Sequence, residues 1–106
     1  MYIKDCINWR RYILVGYKKD IKKYLELYPI CEEDIVFRHT NMKEIYKNYN
    51  LKQFPDCIRG ITLQSTDVIL INFEDRIYNY FIEQTKLYMN LYPTPRMNPR
   101  IYKVEV

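Results

Sequence analysis

The chain has 106 residues, with 17 basic and 13 acidic side chains, one histidine and three cysteines. This length predicts a single domain over residues 1–106. An apolar fraction of 48% with 28% charged residues is typical of a globular chain, not a disordered one. No apolar stretch approaches the roughly 18 residues of a membrane span, and the charged N-terminus lacks the apolar segment of a secretory signal. We therefore expect a cytoplasmic protein without membrane contact.

The cysteines and the histidine exclude several classes of site. Cys6, Cys31 and Cys57 are far apart and form no CxxC pair, which excludes a zinc ribbon and a thioredoxin motif. His39 is the single histidine, which excludes HExxH peptidases and two-histidine metal sites. A Cys–His nucleophile pair stays formally open, and a packed or surface histidine is the favoured interpretation. We predict neither a metal nor a cofactor.

The first predicted unit is a strand followed by a helix. Residues 11–17 (RYILVGY) form an apolar run with β-branched and aromatic side chains, which favours a buried strand. In residues 18–28 (KKDIKKYLELY), apolar side chains recur at i, i+3, i+4 and i+7, the spacing of one helix face. That face consists of Ile21, Tyr24, Leu25 and Tyr28.

The pattern repeats over residues 34–49. The run 34–39 (DIVFRH) predicts a second strand. Asn41 is suited to cap the next helix, with Glu44 three residues later in a capping-box arrangement. Helical spacing then predicts a short helix over residues 42–49, with a core face made of Met42, Ile45, Tyr46 and Tyr49.

The third unit begins with the most regular strand of the chain. Residues 67–72 (DVILIN) hold four consecutive apolar side chains, which indicates burial on both faces of a parallel sheet. We expect Asn72 to cap a helix that continues to Tyr92. Residues 93–99 (PTPRMNP) predict a proline-rich linker, and residues 100–106 (RIYKVEV) predict an edge strand.

This β-α-β-α-β-α order predicts an α/β fold, a small layered domain with a parallel core sheet and a C-terminal edge strand. Ligands of such sheets bind beyond the carboxyl ends of the strands. Residues 17–19, 39–41 and 72–76 supply a polar rim there. Gly16 and Gly60 are the two glycines, so no Gly-rich phosphate cradle exists. Dinucleotide binding and independent P-loop hydrolysis are therefore not expected.

Residues 58–60 (IRG) and 67–72 (DVILIN) resemble the stretch ahead of the Walker B strand in the P-loop proteins of the terminase and helicase families. Small α/β proteins of phages carry such a piece as well. The resemblance covers about 16 residues, and it implies a sheet strand over 67–72 and a mobile-element origin. Asn72 stands where those families place an acidic metal ligand, with Glu74 two residues later.

The third helix has an unusually broad apolar surface. Tyr78, Ile82, Met89 and Tyr92 widen a face that already holds Ile77, Tyr80, Phe81, Leu87, Tyr88 and Leu91. Together they span roughly 220° of a helical wheel, whereas a surface helix typically needs a stripe of about 100°. Either the C-terminal strand or the N-terminal segment covers the extra width within the monomer, or a homodimer or partner contact does.

The net charge of +4 lies in the first 30 residues, because the rest of the chain is balanced. A basic patch for a phosphate backbone is one interpretation, and a solvated helix face is the other. The candidate residues for contact with DNA or RNA are Arg10, Arg11, Lys18, Lys19, Lys22 and Lys23.

Composition supplies the last indication. Alanine is absent while Ile, Lys, Asn and Tyr are abundant, which indicates an A/T-rich genome such as that of a low-GC bacterium, a phage, an archaeal virus or a plasmid. With no catalytic constellation in the sequence, we expect a non-enzymatic protein that binds a host or viral protein, as an inhibitor of a host defence system for example. Nucleic-acid binding is the alternative. The expected interface residues are Tyr17, Tyr78, Ile82, Met89 and Tyr92.

Overall fold

A computed structural model describes residues 11–53, 66–91 and 100–106 of the chain. Arg10 and Tyr92, the linker over 93–99 and residues 58–60 lie outside the described residues. The described residues form strands and α-helices in alternation: β1 Arg11–Val15, α1 Lys18–Leu27, β2 Ile35–His39, α2 Met42–Asn50, β3 Thr66–Ile71, α3 Asp75–Leu91 and β4 Arg100–Val104. A single 3₁₀ turn, Glu32–Asp34, precedes β2.

The four strands form one parallel sheet in the order β2-β1-β3-β4. This confirms the predicted α/β fold with a parallel core and β4 at an edge. Val68 and Leu70 are fully buried, and Ile69 and Ile71 nearly so, because β3 is covered on both faces. The continuous apolar run of β3 thus agrees with its position between two other strands of the sheet.

Each face of the sheet has its own hydrophobic cluster. On one face α1 packs through Ile21 and Tyr24 against Leu14, Ile69 and Ile71. On the other face α2 and α3 pack together over alternate residues of β1, β3 and β4. The buried members of this larger cluster are Ile13, Val15, Ile45, Val68, Leu70, Phe73, Ile77, Tyr80, Phe81 and Ile101.

The helix caps show which local predictions hold. Asn41 caps α2 as predicted, because its Oδ1 accepts the backbone N–H of Glu44 at 3.1 Å. Asn72 does not cap α3, which begins three residues later at Asp75. Its φ is +60°, a left-handed conformation that asparagine tolerates. That turn directs the Asn72 amide to the backbone of Val106, which follows β4.

Three residues predicted to face the core are exposed instead. Tyr28 is 58% exposed, Leu87 is 53% exposed and Leu91 is 73% exposed. Tyr28 directly follows α1, and the two leucines lie in the last turns of α3. A 17-residue helix is about 25 Å long and a six-residue strand about 20 Å. As a result, α3 is longer than the strand β3 that it packs on.

Within the described residues, no helix is both long and apolar enough to cross a membrane.

Candidate functional site

A groove runs between the C-terminal half of α2 and the outer side of α3. Its volume is about 610 Å³, which falls in the usual range for ligand sites. We call it the α2–α3 groove. It is lined by Tyr49, Asn50, Lys52, Arg76, Asn79, Tyr80, Glu83 and Gln84.

One end of the groove is formed by a charged group on an aromatic ring. The Arg76 guanidinium lies over the ring of Tyr49, 5.5 Å from its centroid. Two hydrogen bonds join the same guanidinium to the carboxylate of Glu74, with a shortest distance of 2.7 Å. The hydrogen bond to Glu74 raises the pKa of Arg76. Glu74 therefore holds Arg76 in one orientation above α2.

Aromatic rings form the floor of the groove. The ring of Tyr80 meets that of Tyr49 edge-on, with 5.4 Å between centroids, and packs edge-on against Phe81 as well. The Tyr80 hydroxyl donates a hydrogen bond to the carbonyl of Gln53. Lys52 has a φ of +53°, and this left-handed turn brings the Gln53 N–H to the carbonyl of Asn48 at 2.8 Å. The end of α2 is thus fixed against the middle of α3.

Exposed leucines lie on α2 and α3 next to the residues that line the groove. From Tyr80, α3 continues for 11 more residues, or about 16 Å, to Leu91. Leu87 and Leu91 follow Tyr80 and Gln84 along the same side of the helix, at spacings of three, four and seven residues. Leu51, at the end of α2, is 56% exposed. These three leucines, which we call the leucine shoulder, lie where α2 stops and α3 continues.

The groove is lined by side-chain amides and by charges of both signs. Side-chain amides supply both donors and acceptors at Asn50, Asn79 and Gln84. Lys52 and Glu83 add one charge of each sign. No group of three or more His, Cys, Asp or Glu side chains that could hold a metal occurs among the described residues. Tyr49 and Arg76 in the lining are of residue types that are enriched at protein interfaces.

Because all four strands are parallel, the residues of the predicted polar rim lie at the same end of the sheet. A shallow cleft of about 510 Å³ lies there, between the start of α3 and the residues that follow β4. Lys103 of β4 forms an ion pair with Asp75 across it. Burial raises the pKa of the nearby Tyr46 phenol, and the Glu74 carboxylate raises it further. This ion pair and the hydrogen bonds of Asn72 to Val106 join residues that line this open cleft.

Four of the predicted basic residues share one helix. The side chains of Lys18, Lys19, Lys22 and Lys23 are exposed on the outside of α1. Arg11 lies at the amino end of β1, whereas Lys18 begins α1 beyond the carboxyl end of β1. No ion pair among the described residues includes one of the four lysines.

The predicted interface residues are also separated. Tyr17 is 53% exposed at the start of α1. Tyr78, Ile82 and Met89 are half-buried and pack on the larger core cluster of the same chain. Tyr78 lies close enough to Lys103 of β4 to influence the pKa of that ammonium group. Within the monomer, α3 is therefore covered on its β4 side.

Sequence reasoning missed the α2–α3 groove for a physical reason. The groove exists because α2 has nine residues and α3 has 17, so α2 covers part of α3 only. The repeat of Leu87 and Leu91 one helical turn apart is visible in the sequence. It gives no indication of where α2 ends beside α3.

Comparison with known protein families, with characterised proteins and with solved structures found no match to this chain.

Proposed function

We propose that this chain is a non-catalytic binding protein of a phage, virus or other mobile element. It acts by occupying a host protein, with a component of a defence system as the expected target. The absence of alanine and the abundance of residues with A/T-rich codons support a mobile-element origin. So does the resemblance of residues 58–60 and 67–72 to phage P-loop proteins.

The observation that carries the binding role is the leucine shoulder beside the α2–α3 groove. Leu91 is 73% exposed, and Leu51 and Leu87 are each more than half exposed. Burying a leucine side chain fully is worth about 1.5–3 kcal/mol. A partner that covers these side chains gains this free energy of burial. Hydrogen bonds and ion pairs with the amides and charges of the groove then orient the partner.

Affinity capture with matched variants tests this function. The full chain, the Leu91→Lys variant and the Leu27→Lys variant are immobilised and exposed to a lysate of a low-GC bacterium. Leu27 is 57% exposed at the end of α1, on the other face of the sheet, so it is the matched control. We expect a host protein that binds the wild type and the Leu27→Lys variant and is lost from the Leu91→Lys variant.

The captured protein is then purified and its affinity measured by calorimetry. The result supports binding through the leucine shoulder when Leu91→Lys and Leu87→Lys each weaken the affinity at least tenfold and Leu27→Lys changes it less than twofold. Equal affinity of all variants contradicts the proposed surface, and metal-dependent turnover that is lost on changing Glu74 or Asp75 contradicts the non-catalytic role.

A second candidate function is nucleic-acid binding through α1. The observation in its favour is four exposed lysines on one helix, none of them in the ion pairs of the described residues. Such a cation cluster attracts the phosphate backbone of DNA or RNA.

Fluorescence anisotropy with a labelled 20-base-pair DNA duplex and a single-stranded RNA of the same length tests this role. We expect affinity to fall steeply with salt and to be lost when Lys19, Lys22 and Lys23 are changed to Glu. The single reversals Lys22→Glu on α1 and Lys86→Glu on α3 change the net charge equally, so a larger loss with Lys22→Glu shows that the position on α1 matters. Binding that ignores salt excludes this role.

A further inference from the structure

The two edges of the sheet differ in how they are protected. At the β4 edge, charged side chains occur at Arg100 and Lys103 of the strand and at Glu105 directly after it. Charged residues on an edge strand discourage pairing with another strand. At the β2 edge, Val36 and Phe37 are exposed by 42% and 48%, and a cation follows only at Arg38. No described residue forms a strand beyond β2.

The register between β1 and β2 has an irregularity at Val36. Tyr12 pairs with Ile35, and the next residue, Ile13, pairs with Phe37. Val36 therefore has no paired residue in β1, as in a β-bulge, where the extra residue stays outside the ladder. Val36, which is 42% exposed, is thus the residue of this edge that β1 leaves unpaired.

We infer that β2 pairs with β2 of a second copy of this chain, antiparallel, in a two-fold homodimer centred on Val36. This register places Ile35 opposite Phe37, and it places Asp34, the last residue of the 3₁₀ turn before β2, opposite Arg38. The symmetry generates each pair twice. The two sheets become one sheet of eight strands across the described residues. This surface is distinct from the α3 face and does not depend on the proposed binding function.

Charge complementarity selects the second copy as the occupant of this edge. The segment is acidic where β2 begins, at Glu32, Glu33 and Asp34, and basic near its end, at Arg38. An antiparallel copy brings the acidic beginning of one strand to the basic end of the other, whereas a parallel copy opposes like charges. Opposite charges in a cross-strand pair stabilise the pairing, and like charges directly opposite each other destabilise it.

The existing ion pair of Arg38 is compatible with this contact. One terminal nitrogen of Arg38 donates to Glu32 at 2.8 Å. A guanidinium has five N–H donors, so others remain for the Asp34 carboxylate of the second copy. Phe37 stacks on His39 of its own strand, with 5.7 Å between centroids, so its ring is already held at the edge.

Sedimentation velocity of the full chain from 1 to 300 µM tests the inference. A single strand pair with flanking side chains is a small interface, so we expect a reversible dimer with a dissociation constant of roughly micromolar order. The variant Val36→Lys is expected to weaken dimerisation at least tenfold. The matched control is Tyr102→Lys, because Tyr102 is 41% exposed on the other edge strand, β4. This variant is expected to dimerise like the wild type.

Charge reversal identifies the register and avoids reliance on one substitution. Asp34→Arg alone is expected to raise the dissociation constant, because it opposes two cations, and Asp34→Arg with Arg38→Asp is expected to restore it. Circular dichroism confirms that each variant is folded. The inference is overturned if the wild type is a monomer at every concentration. It is equally overturned if Val36→Lys and Asp34→Arg both leave the dimer intact.

Discussion

The side-chain amide of Asn72 binds the backbone of Val106, 34 residues later in the chain. Its Oδ1 accepts the Val106 N–H at 2.9 Å, and its Nδ2 donates to the Val106 carbonyl at 3.5 Å. The backbone N–H of Asn72 also donates to the carbonyl of Val104 at 2.8 Å. A carboxylate accepts hydrogen bonds and donates none. This explains why an amide, and not an acid, suits the position at the end of β3.

Changing Asn72 to Asp is expected to destabilise the fold by about 1 kcal/mol, because the change removes one donor and adds a charge beside Glu74 and Asp75. Urea denaturation at neutral pH measures the free energy of unfolding. The control is Asn79→Asp, the same change at an exposed position of α3. Equal stability of the two variants would show that the Val106 contact contributes nothing.

Gly16 is expected to tolerate no side chain. An added Cβ would lie 3.1 Å from the Ile71 carbonyl oxygen and 3.3 Å from Ile71 Cβ, and its φ of +156° disfavours other residues. We expect Gly16→Ala to lower the free energy of unfolding by about 2 kcal/mol, since β1 and β3 must separate to accommodate the methyl group. Thermal and urea denaturation check this, with Lys18→Ala as the exposed neighbouring control. A Gly16→Ala variant as stable as that control would mean that the close approach is absent in solution.

The two sides of α3 should respond very differently to truncation. Ile77 is fully buried, so Ile77→Ala is expected to cost about 2–5 kcal/mol of stability. Leu91 is 73% exposed, so Leu91→Ala is expected to change stability by less than about 0.5 kcal/mol. Urea denaturation of the isolated protein gives both values. A large loss for Leu91→Ala would place this leucine in a core and remove it from the leucine shoulder.

The ion pair of Glu32 with Arg38 should be visible in a pH titration. The hydrogen bond from Arg38 lowers the pKa of Glu32 below its ordinary value in the folded protein. The stability that the pair contributes is therefore present above the ordinary glutamate pKa and is lost as the pH falls through the lowered value.

Carbon-13 NMR of the Glu32 carboxyl carbon measures this midpoint. We expect Arg38→Gln to raise it toward the ordinary glutamate value. Lys23→Gln removes a cation from α1 and is expected to leave the midpoint where it is. A midpoint insensitive to Arg38 would show that the pair does not form in solution.

Local patterns in the sequence determined most of the fold. The apolar run over 67–72 predicted a strand covered on both faces, and β3 is that strand. Asn41 with Glu44 predicted the start of α2 correctly. The α/β order with a parallel core followed from these elements, because hydrophobic periodicity and helix caps depend on residues that are neighbours in the chain.

Tertiary structure alone decided which surfaces remain open. Periodicity placed Leu87 and Leu91 on a core face, but α2 ends beside Tyr80 and leaves them exposed. The pairing of Asn72 with Val106 and the unprotected edge at Val36 likewise depend on which strands become neighbours. The sequence by itself thus determined the elements and the +4 charge near the N-terminus. Helix length, strand order and register determined which surfaces of those elements stay exposed to a partner. They depend on contacts between residues that are far apart in the chain.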